Sequence, residues 1–180
     1  MIIKDYDSFV CTKKDALELL NTWLIGKKFD FGNQILDMTV LIFGEEDEPY
    51  GDPVVESIDG HVFQYSIHIQ TNFTVLKDEK VLLRRTKRIL DYNYDPDYKN
   101  FTKKINDLAF KMKSSEIIVA DITEEKGYFP VINCSNGYKI KIRIKESDKE
   151  TWRAFELYSE EDEKDIPNHL VCYGEKIFIE

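Results

Sequence analysis

Histidine and cysteine most often supply a general base, a metal ligand or a nucleophile, and this chain contains only three of each. His61 and His68 are seven residues apart in a segment with strand periodicity, so we expect their side chains on opposite faces and not around a shared metal. His169 is close to Cys172, but a nucleophilic cysteine also needs an exposed thiol with a lowered pKa. The sequence therefore predicts buried cysteines, no catalytic residue, no metal and no cofactor, and it disfavours an enzyme without excluding one.

Two identical acidic tetrapeptides, Glu-Glu-Asp-Glu, begin at Glu45 and at Glu160. Neither has the glycine-centred alternation of ligands that a calcium loop needs. They fit either solvated loops between strands or a surface that attracts a positively charged partner, with nearby aromatic side chains as anchors. Under the second interpretation the partner-binding residues are Glu45, Glu46, Asp47, Glu48, Tyr50, Tyr158, Glu160, Glu161, Asp162 and Glu163.

Charge is distributed unevenly along the chain, whose net charge is −9. Residues 77–113 contain eleven Lys and Arg against six Asp and Glu, whereas the remainder contains fourteen against twenty-eight. Because arginine forks bind phosphate, an alternative hypothesis is a small enzyme or binding module that holds a nucleotide or another anionic metabolite at Arg84, Arg85, Lys87 and Arg88. Direct nucleic-acid binding is not expected, because the remaining negative charge would repel a polyanion.

Two amphipathic helices are predicted, at about residues 12–25 and 96–113. The first begins at the N-cap Thr12 and ends near Gly26, and the second follows Asp95-Pro96, a cap residue before a proline at the first helical position. Each then repeats apolar residues at helical spacing. The opposite side of the second helix carries lysines and is expected to be cationic: Lys99, Lys103, Lys104 and Lys111.

Alternating apolar and polar residues predict strands through most of the remaining chain, at Gln34–Phe43, His61–Gln70, Ile117–Ile122, Phe129–Cys134, Tyr138–Lys145, Trp152–Tyr158, Leu170–Tyr173 and Lys176–Ile179. Asn136-Gly137 is typical of a type I′ hairpin turn. Residues 81–90 fit a helix or a strand that returns from a turn at residues 77–80, and we prefer the strand.

One strand indicates which kind of sheet to expect. Between Tyr138 and Lys145 every second side chain is basic, so one face of this strand must contact solvent or acidic partners such as Glu156. This favours antiparallel sheets, because parallel strands are usually buried on both faces. The sequence therefore predicts an α+β fold with mainly antiparallel sheets in a single domain of residues 1–180, with a weak two-half organisation, 1–90 and 91–180, as a further hypothesis.

No signal peptide and no apolar run long enough for a membrane span is recognisable, which predicts a cytoplasmic protein without membrane contact. The abundance of Ile, Lys, Asn and Tyr suggests a bacterial or phage source. A small acidic α+β protein rich in aromatic residues is similar in general type to bacterial immunity proteins and phage-encoded inhibitors, although no motif carries the likeness. The leading functional expectation is thus a non-enzymatic inhibitor of a basic protein such as a nuclease.

Overall fold

The computed structural model describes residues 9–35, 37–47, 62–86, 96–113, 115–124, 128–143, 149–156, 169–173 and 176–179. These ranges form two helices and twelve strands, and all the strand pairs are antiparallel, which confirms the predicted α+β class. In chain order the elements are β1 (Phe9–Cys11), α1 (Lys13–Leu24), β2 (Phe29–Ile35), β3 (Met38–Asp47), β4 (Val62–Ile69), β5 (Asn72–Lys77), β6 (Lys80–Arg85), α2 (Pro96–Met112), β7 (Ile117–Glu124), β8 (Tyr128–Cys134), β9 (Tyr138–Arg143), β10 (Glu150–Glu156), β11 (His169–Tyr173) and β12 (Lys176–Ile179).

Both predicted helices are confirmed. Thr12 caps α1 with a reciprocal pair of hydrogen bonds: its hydroxyl accepts from the Asp15 amide at 3.2 Å, and the Asp15 carboxylate accepts from the Thr12 amide at 3.3 Å. Each helix buries one stripe of side chains, as the periodicity predicts. The lysines on the other side of α2 are exposed, so the cationic helix surface is confirmed as well.

The strands form two sheets. The seven-stranded sheet has the order β1-β12-β11-β10-β4-β3-β2, and the five-stranded sheet has the order β6-β5-β9-β8-β7. The chain crosses from the seven-stranded to the five-stranded sheet between β4 and β5, where the two residues Gln70 and Thr71 connect the strands. The backbone amide of Gln70 donates to the Thr151 carbonyl at 2.9 Å, and the Thr71 hydroxyl donates to the Arg143 carbonyl at 2.9 Å. Each sheet combines strands from residues 1–90 and 91–180, so the two suggested halves share both sheets.

One hydrophobic cluster takes side chains from both sheets and both helices. Phe29 and Phe43 meet edge to face in the seven-stranded sheet at 5.4 Å between ring centroids, and Phe73 of β5 meets Phe101 of α2 at 6.2 Å. Burying an aromatic or branched side chain stabilises a fold by about 1.5–3 kcal/mol. The shared cluster therefore fixes the sheets and helices against each other, with Trp152 as its largest fully buried side chain.

One predicted strand and one predicted turn type are wrong. The segment Gln34–Phe43 is not one strand, because β2 ends and β3 begins inside it, with Ile35 paired to Met38. Only two residues separate the paired ones in sequence, and so short a connection does not interrupt the alternation by which a strand is recognised.

The turn at Asn136-Gly137 is also not type I′, which requires positive φ at both central residues. Only Gly137 has a positive φ, of 82°, and its amide donates to the Cys134 carbonyl at 3.2 Å. The type I′ conformation occurs instead at Asp78 and Glu79, with φ of 48° and 62°. The hairpin turn predicted at residues 77–80 and the strand after it are confirmed, while residues 87–90 lie outside the described residues.

Neither of the described helices is long and apolar enough to cross a membrane.

Candidate functional site

The first acidic tetrapeptide begins inside an ordered strand. β3 extends through residues 45–47, and its last two residues pair with residues 62 and 63 of β4. A β-bulge precedes this pairing, where Gly44 and Glu45 lie opposite a single residue of β4. Gly44 has a φ of 104°, and its amide donates to the Lys28 carbonyl at 2.9 Å. The bulge therefore bends the end of the β3–β4 hairpin, which we call the acidic hairpin end (residues 45–47), while the backbone stays paired.

The other predicted partner-binding residues lie outside the described residues. They are Glu48, Tyr50, Tyr158, Glu160, Glu161, Asp162 and Glu163.

The predicted anion site does not come together around Arg84 and Arg85. These neighbours point to opposite faces of β6, and Arg84 is exposed whereas Arg85 is 3% exposed. The Arg85 guanidinium donates to the Ile69 carbonyl at 3.1 Å and also to the Asp37 carbonyl. Because Arg85 already binds backbone oxygens in the interior, only Arg84 of this pair faces outward. Lys87 and Arg88 lie outside the described residues.

A second group of ionisable side chains gathers on one face of the seven-stranded sheet. Glu150 and Arg153 of β10 form a double contact, with Nε to Oε1 at 3.2 Å and Nη2 to Oε2 at 3.1 Å. Arg153 Nη1 lies 3.4 Å from His169 Nδ1, and Gln70 Nε2 donates to Glu150 Oε1 at 3.2 Å. His68 of β4 pairs with Arg153 across the strands. We call these residues the Glu150–Arg153 cluster.

Sequence reasoning missed this cluster for a physical reason. Residues three apart in a regular strand point to opposite faces, so Glu150 and Arg153 are not expected to meet. The register of β10 shifts between Glu150 and Trp152, and this irregularity turns Glu150 to the side of Arg153. The pairing of β10 with β11 adds His169, and its pairing with β4 adds His68 and the following Gln70, all distant in sequence. Nothing in the residue pattern signals the shift.

The environment of this cluster makes its histidines poor bases. Burial, followed by the nearby positive charge of Arg153 and by the His169 imidazole, lowers the pKa of His68 to about 4. Burial and then Arg153 also lower the pKa of His169, against a smaller opposite effect of Glu150. General acid–base catalysis works best when the pKa lies near the operating pH. The cluster therefore holds two imidazoles neutral around a fixed ion pair, an arrangement better suited to orientation and hydrogen bonding than to proton transfer.

The cysteines are also poorly suited to nucleophilic chemistry. Burial raises the pKa of Cys134 and of Cys172 to about 11, and burial followed by the Asp15 carboxylate raises that of Cys11. Cys172 belongs to the hydrophobic cluster between the sheets, while His169 faces Arg153 on the other side of the seven-stranded sheet. The His169–Cys172 proximity in sequence thus does not become a catalytic pair.

Within the described ranges, no three His, Cys, Asp or Glu side chains come together as a metal site would require. A surface groove of about 430 Å³ follows α2 and is lined by Tyr98, Lys99, Thr102, Lys103, Asn106 and Asp107.

No protein-family model matches this chain, and no match is found among curated proteins or among solved structures.

Proposed function

We propose that this protein is a non-catalytic acidic binding protein that engages a positively charged protein, such as a nuclease, and acts as an inhibitor or immunity-type protein. The acidic hairpin end is the observation that carries the proposal. Its carboxylate-bearing residues extend a paired hairpin beyond a bulge, so three consecutive acidic residues share one ordered backbone.

Order matters for binding because a partner that meets a fixed strand does not have to immobilise a loop. Negative charge at such a site accelerates the encounter with a cationic surface, while affinity comes from a few desolvated contacts. Tyr50 and Tyr158 are proposed as those aromatic anchors, and the second acidic tetrapeptide at residues 160–163 is proposed to extend the same surface.

The state of the titratable groups supports binding over catalysis. The pKa of His68 is lowered to about 4 and the pKa values of Cys134 and Cys172 are raised to about 11, so none of these groups is tuned to transfer a proton or attack a substrate near neutral pH.

The test is capture of partners by the immobilised protein from the cells that produce it. A variant with Glu45→Lys, Glu46→Lys and Asp47→Lys is expected to lose the captured basic protein. The matched control reverses three exposed acids elsewhere, Glu18→Lys, Asp107→Lys and Glu116→Lys, and is expected to retain it.

With the purified partner, the association rate of the hairpin variant should fall by about tenfold at low ionic strength, and the difference should shrink as salt screens the charges. Equal capture and equal rates for the hairpin variant and the control would overturn the proposal. So would recovery of no basic protein by the unmodified chain.

A further inference from the structure

The outer face of the five-stranded sheet gathers basic side chains from two distant parts of the chain. The register places Arg84 of β6 opposite Thr74 of β5, and Thr74 opposite Lys141 of β9. Lys139 and Arg143 lie on the same side of β9 as Lys141, because alternate residues of a strand share a face. We call Arg84, Lys139, Lys141 and Arg143 the basic sheet face.

Most of this charge is not neutralised by the described part of the protein. Lys139 forms an ion pair with Glu79 of the β5–β6 turn, and the strand of Glu156, the partner that the sequence suggested, belongs to the other sheet. Among the described residues, the side chains of Arg84, Lys141 and Arg143 form no hydrogen bond or salt bridge, although the Glu79 carboxylate also attracts Lys141. Glu79 and the exposed Asp121 of β7, which lies opposite Val131, offset part of this charge, and the positive charge that is left on a chain of net charge −9 favours an anionic ligand.

The side chains between these cations are uncharged. Thr74 separates Arg84 from Lys141, Asn133 of β8 lies opposite Lys139, and Val131 of β8 lies opposite Lys141. Val131 and Asn133 are half-buried, so each still offers part of its surface to a ligand. Phe129, also half-buried, lies on the same side of β8.

The backbone of this face is unavailable for pairing. β5, β9 and β8 each have a neighbouring strand on both sides. A ligand on this face must therefore bind through side chains, as nucleic acids do on sheet platforms where cations hold phosphates and apolar or aromatic side chains contact bases.

We propose that the basic sheet face binds single-stranded nucleic acid. Lys139, Lys141 and Arg143 repeat at about 7 Å along β9, since each strand residue advances by about 3.4 Å, and this repeat is comparable to the separation of phosphates in an extended single strand. The amide and apolar side chains beside them suit base edges and base faces. The alternation of cations with apolar and amide side chains matches the alternation of phosphates and bases along a single strand, whereas an acidic polypeptide or an anionic membrane would match chiefly the cations.

The expectation that this chain does not bind nucleic acid directly rests on its total charge. Total charge is the wrong measure where the fold separates charges, because phosphate contacts depend on the local potential at the face that meets the strand. The acidic remainder of the molecule then orients the basic sheet face toward a polyanion.

The test uses fluorescence anisotropy of labelled oligothymidylate and oligouridylate of about twenty nucleotides, a length that exceeds a typical single-strand site. The full chain is expected to bind both, with a salt dependence that corresponds to about three phosphate contacts and a log–log slope of about −2. The variant Arg84→Glu, Lys141→Glu and Arg143→Glu is expected to lose about tenfold or more in affinity.

The matched control, Lys103→Glu, Lys104→Glu and Lys111→Glu, carries the same change in net charge on α2 and is expected to keep its affinity within about twofold. Circular dichroism and the unfolding midpoint verify that both variants are folded, which their exposed or half-buried positions favour. Absence of binding at low salt, or an equal loss in the control, would overturn the proposal.

Two competitors test the other kinds of partner. Polyglutamate that displaces the oligonucleotide at equal charge concentration would assign the face to an acidic protein, and phosphatidylserine vesicles that bind the chain when oligonucleotides do not would assign it to a membrane; either result overturns the proposal. The hairpin variant of the previous section should bind oligonucleotides at least as well as the unmodified chain, so this inference and the proposed function can fail independently.

Discussion

Asn21 of α1 pairs with the backbone of Ala120 in β7 as a neighbouring strand would. Its Nδ2 donates to the Ala120 carbonyl at 3.0 Å, and its Oδ1 accepts from the Ala120 amide at 2.9 Å. β7 is the last strand of the five-stranded sheet in the described part of the chain. One side chain thus satisfies both backbone groups of a buried edge residue and fixes the helix to the sheet.

Replacing Asn21 by leucine should destabilise the protein by about 2–4 kcal/mol, because two buried backbone groups lose their partners. The free energy of unfolding is measured by urea titration at constant m value. The neighbouring substitution Thr22→Ala is the control: the Thr22 hydroxyl donates only to the Glu18 carbonyl of its own helix, and its loss should change stability by less than about 0.5 kcal/mol. Equal effects of the two substitutions would contradict the role given to Asn21.

Removing the charge of Arg85 should destabilise the protein, whereas removing that of Arg84 should leave the stability nearly unchanged. Arg85→Met leaves the buried Ile69 carbonyl and the half-buried Asp37 carbonyl without their donor and should cost about 2–4 kcal/mol of stability. Arg84→Met removes an exposed cation and should change stability by less than about 0.5 kcal/mol. Urea unfolding of both variants is the measurement, and a mild effect at Arg85 would argue against its structural role.

The features that could be predicted from the sequence are those that local physics determines. Thr12 and Asp15 specify the start of α1 by their own hydrogen bonds, and the apolar stripe of α2 needs no knowledge of the sheet against which it packs. The alternation from Tyr138 to Arg143 likewise determines which side of β9 is buried. Each of these signals is contained within one element.

What could not be predicted depends on register between distant strands. Nothing in the sequence places Arg84 and Lys141 in one row across the sheet. They share that row, on either side of Thr74, because β5 lies between β6 and β9. The irregularities at Gly44 and at Glu150 each turn one residue against the strand alternation. For this reason the pattern separates Glu150 from Arg153 although the fold joins them.

Gly137 should be less tolerant of alanine than Gly26, although both have positive φ, of 82° and 78°. A Cβ on Gly137 would collide with the Asp78 carboxylate of the adjacent hairpin turn, whereas a Cβ on Gly26 would meet only Glu116 Oε1 at 3.9 Å. Gly26→Ala should therefore cost about 1 kcal/mol for its backbone conformation alone. Gly137→Ala should cost clearly more by urea unfolding.

Removal of Asp78 tests the cause of this difference. In the double variant Asp78→Gly, Gly137→Ala the collision is absent, and glycine suits the positive φ of residue 78. The two substitutions should thus be non-additive, with most of the extra cost of Gly137→Ala recovered. Strict additivity would show that the carboxylate moves aside without cost.

His68 should make stability depend on pH between about 7 and 4. Its pKa in the folded protein is lowered to about 4 from 6.5, chiefly by burial and then by Arg153 and His169. Between these values His68 is protonated in the unfolded chain but neutral in the folded protein. The stability that the neutral His68 contributes is therefore complete above pH 6.5 and is lost as the pH decreases toward 4. A single group with this shift accounts for about 2 kcal/mol between pH 7 and pH 5.

The variant His68→Gln isolates this contribution, because the carboxylates that also titrate in acid are common to both proteins. The difference in unfolding free energy between the two should change by about 2 kcal/mol between pH 7 and pH 5, with the variant less sensitive to acid. A side-chain NMR titration of His68 gives the folded pKa directly. Parallel stability profiles, or a His68 resonance that titrates near pH 6.5, would mean that the imidazole is hydrated, and the description of the Glu150–Arg153 cluster as a site of neutral histidines would fail.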